Sequence, residues 1–491
     1  MSFTDERFLL FFPCSILLYF VSPFEYRPFS LLIMSVVFYL SWGWHGFAFV
    51  ILLSLITFFL ARFIACSSNK KEKRFWLIIS IVLLLTALIY TKAGKYLLLL
   101  IRSTDNRMIV PLGISYITLS SLGYLIDVYR GQQQPENNFL RFLLFLLYFP
   151  KVIQGPISRY QELSHELFSG HEFDFKRVCF GLQLMLYGLF KKLVIADRMA
   201  VVISTIFGNY KQYKGSILIF GLILRSIQLY CDFSGYMDIA EGISEVFGIS
   251  LPRNFSHPFF SQSAGEFWRR WHMSMGQWFK DYVYMPLVTS PTVSKMAYRI
   301  RQRFGKRTGK AFMSLLPLIV VWILTGLWHG TGLNYLLWGI YWGLIISFST
   351  VFTKELKSLA SMLHIDTEKK SWMLFRQIRT FLLFTFARFI VLEDAIPIWR
   401  KIKEGLYIGQ LFDGTIYTLG ISRPEFLITF LAIGIVWEIS ILQENGSVRN
   451  LIADSNVVFR WLIYYIVIFV IIIFGYYGLG YNSADFIYMQ F

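Results

Sequence analysis

The chain has 491 residues, of which 56% are hydrophobic, 19% aromatic and only 16% charged, with a mean hydropathy of +0.54. Soluble domains carry about 25% charged residues, so this length reads as one polytopic membrane protein rather than two or three soluble domains. The net charge of +17 sits in blocks between apolar runs. That fits positive-inside topology and attraction to anionic lipid, and argues against a nucleic-acid surface.

The first apolar run, near 8–24, follows Asp5-Glu6-Arg7. That flank is not a basic leader and no small-residue cleavage site follows, so the run reads as a retained span. Runs at 29–43 and 45–64 lie so close that Trp42-Gly43-Trp44-His45-Gly46 must be a tight turn. With the N-terminus outside, the basic block 70–74 then falls inside after three spans. Further runs cover 75–101, 109–128, 138–154, 176–195 and 214–232.

The middle, about 230–290, is helix-like but too charged to face lipid. Asp238, Glu241 and Glu245 recur at helical spacing and share one face. Glu266 is spaced to pair with Arg269 or Arg270. Each charge at the bilayer centre costs roughly 2.5–3.5 kcal/mol even on a lenient scale. Such a segment lines a polar cavity or packs as short helices inside protein. Seven basic residues crowd 295–310, and apolar runs return at 311–328, 333–352, 372–392, 424–442 and 460–480. With 295–310 inside, those five runs put the C-terminus outside. No repeat or low-complexity linker interrupts the chain, so residues 1–491 read as a single all-α membrane domain.

Cys14, Cys66, Cys179 and Cys231 are far apart and form no metal or disulfide pattern. No HExxH, Walker A or G-x-S-x-G element is present. Among seven histidines, His165, His171 and His364 lie in polar connections, His45 at a span junction, and His257 before Pro258. His329 stands out in "LTGLWHG", deep in an apolar run. A desolvated imidazole favours its neutral form and can accept a proton from a hydroxyl. Gly326, Gly330 and Gly332 would leave room beside it for a substrate. A core histidine bonded to a neighbouring helix is the competing reading. His272, in "FWRRWHMS", is either a second catalytic or orienting residue or a buried hydrogen-bonding ring.

Several stretches in order resemble the membrane-bound O-acyltransferase (MBOAT) superfamily: "PLGISYITLSSLGYLIDVYRG" at 111–131, "FPKVIQGPISRY" at 149–160, "DFSGYMDIAEG" at 232–242, "PRNFSHPF" at 252–259, "FWRRWHMSMGQWFKDYVYMPL" at 267–287 and "TGLWHG" at 325–330. They look most like the bacterial branch of AlgI, PatA and DltB types, which acetylate alginate or peptidoglycan or transfer D-alanine. The resemblance implies about 11–13 transmembrane helices ringing a funnel, with short tilted helices inside and a catalytic core near 109–352. It also implies an acyltransferase in which His329 matches the near-invariant catalytic histidine and His272 the second one. Arg269, Arg270, Trp328, Asp232 and Asp238 stand as candidate substrate-binding residues. Alginate-type members often carry a histidine in the segment after "GIS"; the matching position here is Ser120.

The chain ends "ADFIYMQF", similar to the FIYxxF tail of AlgI- and PatA-like chains. By that resemblance Tyr488 is a transient acyl carrier; the plainer reading is a tail that anchors the last helix. The built-in tail and the length favour the AlgI/PatA type over DltB. The resemblance implies no bound cofactor or metal, acetyl-CoA or an acyl carrier protein thioester as cytoplasmic donor, and an extracytoplasmic SGNH-type acetyltransferase as partner. It implies membrane lipids as surroundings, no nucleic acid, and a multi-pass location in the bacterial inner membrane. A D-alanyl transferase, a lipid or protein acyltransferase, and a non-enzymatic transporter are the rival readings.

Overall fold

A computed structural model describes residues 1–100, 111–477 and 481. The described residues form helices and connecting turns, with one isolated antiparallel bridge between Phe255 and Trp271. The chain divides into two compact units. One comprises residues 1–188 and 236–253, the other 189–235 and 254–481. The helix Gly215–Val246 therefore supplies residues to both.

In the first unit, helices Arg27–Leu40 and Trp44–Cys66 are separated by three residues. Gly43 there takes φ +126°, a value that suits glycine. This is the tight turn expected from the sequence. Ile114–Arg130 is buried along most of its length. Gly181 and Gly242 mark a close helix crossing, since a Cβ on either would lie 2.5 Å from the other's carbonyl oxygen. Asp238, Glu241 and Glu245 are half-buried on the helix that carries Gly242.

In the second unit, Lys306–His329 and Leu333–Val351 form an antiparallel pair joined by three residues. Lys370–Ile390, Arg423–Asn445 and Val457–Phe474 complete the long helices. Two short helices, Ala264–Arg270 and Met273–Phe279, carry the polar middle segment. Phe267, Trp271 and Trp342 are buried around them.

Among the described residues, seven helices are long and apolar enough to cross a membrane, or eight if the bent pair Leu333–Val351 and Thr353–Met362 is one span. That is fewer than the 11–13 suggested by the sequence, for three physical reasons. Glu6–Val21, Arg27–Leu40 and Ile114–Arg130 have 16, 14 and 17 residues, short of the ~20 needed for a 30 Å core. The run at 138–154 breaks into Phe139–Leu147 and Phe149–Val152. Lys370–Ile390 is long enough but carries Arg376, Arg379 and Arg388 besides its first lysine. Conversely, the run at 176–195 continues through a π-helical stretch into one 34-residue helix, Phe175–Gly208.

Candidate active site

His329 is the last residue of its helix and is 7% exposed. Its ring meets Trp338 of the returning helix edge-on, with centroids 5.1 Å apart, and neighbours Trp328 at 4.8 Å. The glycines around it bring the two helices together. A Cβ on Gly326 would lie 2.5 Å from the Tyr335 carbonyl oxygen, and one on Gly339 2.4 Å from that of Trp322. A Cβ on Gly330 would enter the Tyr335 ring at 2.3 Å. Gly326 and Gly330 thus do not leave room for a substrate, as the sequence suggests. Gly326 lets the helix backbones approach, as small residues do between membrane helices, and Gly330 admits the Tyr335 ring.

His272 is fully buried and has φ 48° and ψ 52°, the left-handed region. That conformation is uncommon for a residue with a Cβ, although histidine is among those enriched there. It arises where the short bridge at Trp271 gives way to the helix Met273–Phe279. Asn254 caps that helix from another part of the chain. Its Oδ1 accepts from the Ser274 N–H at 3.0 Å and from Ser274 Oγ at 2.7 Å. Its carbonyl oxygen accepts from the Met273 N–H at 3.0 Å. The His272 ring stands perpendicular to Phe233 at 4.8 Å and lies 6.2 Å from Trp328. Trp328 therefore touches both histidines. Burial pushes the His272 imidazole down to about 3, so at neutral pH it is an uncharged hydrogen-bonding ring.

A buried ionic cluster lies one residue along from Phe233. Lys192 Nζ is 2.7 Å from Asp232 Oδ1 and 2.7 Å from Asp197 Oδ1, and the lysine side chain is 2% exposed. Lys191 Nζ donates to Ser234 Oγ at 2.9 Å. Both lysines belong to the π-helical stretch Phe190–Ala196, a local form frequent at functional sites. The cluster thus gathers two buried lysines and two buried carboxylates, and charges so desolvated are tolerated only with close, well-formed contacts. Sequence reasoning missed Lys191, Lys192, Asn254 and Trp338. The signal for the lysines was present: two adjacent charges inside an apolar run mark a functional position in a membrane protein.

Of the candidates named from sequence, the second unit brings together His272, Trp328, His329 and, through Phe233, Asp232. Arg270 is held by Glu266 at 3.0 Å and Glu444 at 2.6 Å, whereas Arg269 on the same turn is exposed. Asp238 belongs to the first unit. Tyr488 lies outside the described residues.

The sequence model of the membrane-bound O-acyltransferase family matches residues 133–392, which include both histidines. A probable alginate O-acetylase, AlgI, of Pseudomonas aeruginosa is 33% identical over 359 residues, covering 70% of this chain and 65% of its own length. A peptidoglycan O-acetyltransferase of Helicobacter pylori is 28% identical over 464 residues, covering 85% of this chain and 83% of its own. A teichoic acid D-alanyltransferase of Bacillus subtilis is 29% identical over 260 residues, covering 51% of this chain and 61% of its own. The chain thus spans just under two thirds of the Pseudomonas aeruginosa relative.

Proposed function

Because the chain belongs to the membrane-bound O-acyltransferase family, we propose that it takes an acyl group, acetyl in the first instance, from a cytoplasmic thioester for O-acetylation of a cell-wall or secreted polysaccharide. The observation that carries this reading is the buried pair His272 and His329, whose rings both neighbour Trp328. A nucleophile with a pKa near 10, such as a phenol, needs a base at its side to react at neutral pH. His329 is that base. It takes the proton from the Tyr488 hydroxyl as the phenol oxygen attacks the thioester carbonyl. It returns the proton to the departing thiolate, leaving an aryl ester and a free thiol. His272, neutral and fixed by its backbone and by Phe233, orients the site rather than moving the proton.

Acetyl-CoA is the donor, and the exposed Arg269 with the basic helix Pro291–Phe304 attracts its phosphates on the inner face. The relay requires that Lys370–Ile390, although its arginines keep it out of the seven apolar spans, also crosses the membrane, so that an odd number of crossings follows that basic helix. An SGNH-type acetyltransferase in the extracytoplasmic space then removes the acetyl group to the polymer. The location is the bacterial inner membrane. The similarity to a D-alanyltransferase favours a second reading, with an acyl carrier protein thioester as donor.

The test is to reconstitute the full chain in vesicles and supply radiolabelled acetyl-CoA or, separately, a D-alanyl carrier protein. Peptide mass spectrometry then locates the label. Acetyl on Tyr488 supports the relay, and D-alanyl on Tyr488 alone supports the second reading. Turnover of the polymer pathway with Tyr488 never labelled overturns the carrier role.

A further inference from the structure

From the end of its last helix onward the chain is tied three times to one short stretch of the helix Phe175–Gly208. Arg198 Nε donates to the Phe474 carbonyl at 2.8 Å. The Tyr476 N–H donates to the Leu193 carbonyl at 2.9 Å. Tyr481 Oη donates to Asp197 Oδ2 at 3.3 Å. Leu193 lies within the π-helical stretch, whose wider turn takes carbonyls off the regular i−4 ladder. Arg198 is itself held by Glu425 at 2.6 Å, and Glu425 closes the capping box of Arg423–Asn445. Asp197 uses its other oxygen for Lys192, and Lys192 bonds Asp232. The residue after Asp232 is Phe233, whose ring meets His272.

The geometry points to a positioning device: the buried Lys192–Asp197 pair anchors Tyr481 and so fixes where the C-terminal tail begins relative to the two histidines. This rests on the reading of Tyr488 as acyl carrier. Tyr488 is seven residues beyond Tyr481, a reach of at most ~25 Å. With the anchor at 481 lost, the next tie is the one at Tyr476, 12 residues from Tyr488. The effective concentration of the phenol at the site falls as the tether lengthens. Lys192, Asp197 and Tyr481 act through the tail and are positioning residues.

The variants are Tyr481→Phe, which removes only the hydroxyl, and Asp197→Asn. Two readouts are taken on the reconstituted full chain: the single-turnover rate of Tyr488 acetylation against acetyl-CoA concentration, and amide hydrogen exchange over residues 474–481. In Tyr481→Phe the maximal acetylation rate falls about twofold, the half-saturating donor concentration stays unchanged, and the amides of Tyr476, Tyr477 and Tyr481 exchange faster. A purely structural role would instead lower thermal stability without separating rate from donor affinity. Wild-type acetylation rate or unchanged exchange in Tyr481→Phe overturns the anchor. If Asp197→Asn fails to fold, the tyrosine variant still decides. If wild-type Tyr488 takes no label, the carrier reading fails by itself, and the exchange measurement decides the anchor separately.

Discussion

The imidazole of His329 packs edge-on against the indole of Trp338, at an interplanar angle of 80°. The two side chains come from successive antiparallel helices, and the contact exists because Gly326 and Gly339 let those helices touch backbone to backbone. Placement of the proposed base is therefore set by residues about a turn or more away that carry no chemistry.

Gly339→Ala tests this relationship. The added methyl meets the Trp322 carbonyl oxygen at 2.4 Å, so the helices must separate. Overpacking of this kind costs about 1–3 kcal/mol. A displacement of ~1 Å at the base costs about 100-fold in rate. The expected result is a lower melting temperature together with a large loss of acyl transfer. A wild-type rate would show that helix separation does not set the position of His329.

Asn254→Ala removes the acceptor for both the Ser274 N–H and its hydroxyl. Leaving buried donors without an acceptor costs about 1–3 kcal/mol. The left-handed backbone at His272 depends on the same cap, so the transfer rate falls with stability. Asn254→Asp keeps an acceptor oxygen and is expected to retain more of both, by thermal unfolding and single-turnover labelling.

His272 also gives the protein a pH dependence of known sign. Its imidazole is held down to about 3 in the folded protein, against about 6.5 when unfolded. The unfolded state therefore binds the proton more readily. The contribution to stability is complete above about pH 6.5 and is lost at about 1.4 kcal/mol per pH unit as pH falls toward 3. His272→Asn is expected to flatten this part of a stability profile. An unchanged slope would place the acid sensitivity elsewhere.

Lys192→Met leaves Asp197 and Asp232 facing each other without their cation. Breaking a buried pair by removing one partner costs about 3–5 kcal/mol. Lys192→Arg keeps the charge and is expected to lose less. Comparing the two melting temperatures separates the loss of charge from the loss of fit.

Much of this was legible in the sequence, because apolar periodicity and length are properties of the chain itself. The tight turn before Trp44, the polar short helices between 264 and 279, and the long apolar helices lie where the pattern puts them. The number of full spans was not legible. An apolar run does not reveal that 138–154 breaks at Tyr148, or that Ile114–Arg130 is surrounded by protein. His272 and His329 were visible as buried imidazoles, but their shared neighbour, Trp328, depends on tertiary packing. The glycines of "LTGLWHG" were misread because the sequence cannot say whether small residues make space for a ligand or for another helix. Lys191 and Lys192 were passed over although two charges in an apolar run are costly enough to demand partners. Their partners, Ser234 and Asp232, lie some forty residues away.

The most direct test of the account is the acetylation of Tyr488 from radiolabelled acetyl-CoA by reconstituted His329→Ala beside the wild type. General-base assistance contributes about 10²–10⁴-fold. The account predicts a loss of that order in the variant, well beyond what its lowered melting temperature explains, with unchanged donor binding. Acetylation of Tyr488 at the wild-type rate in His329→Ala would contradict it.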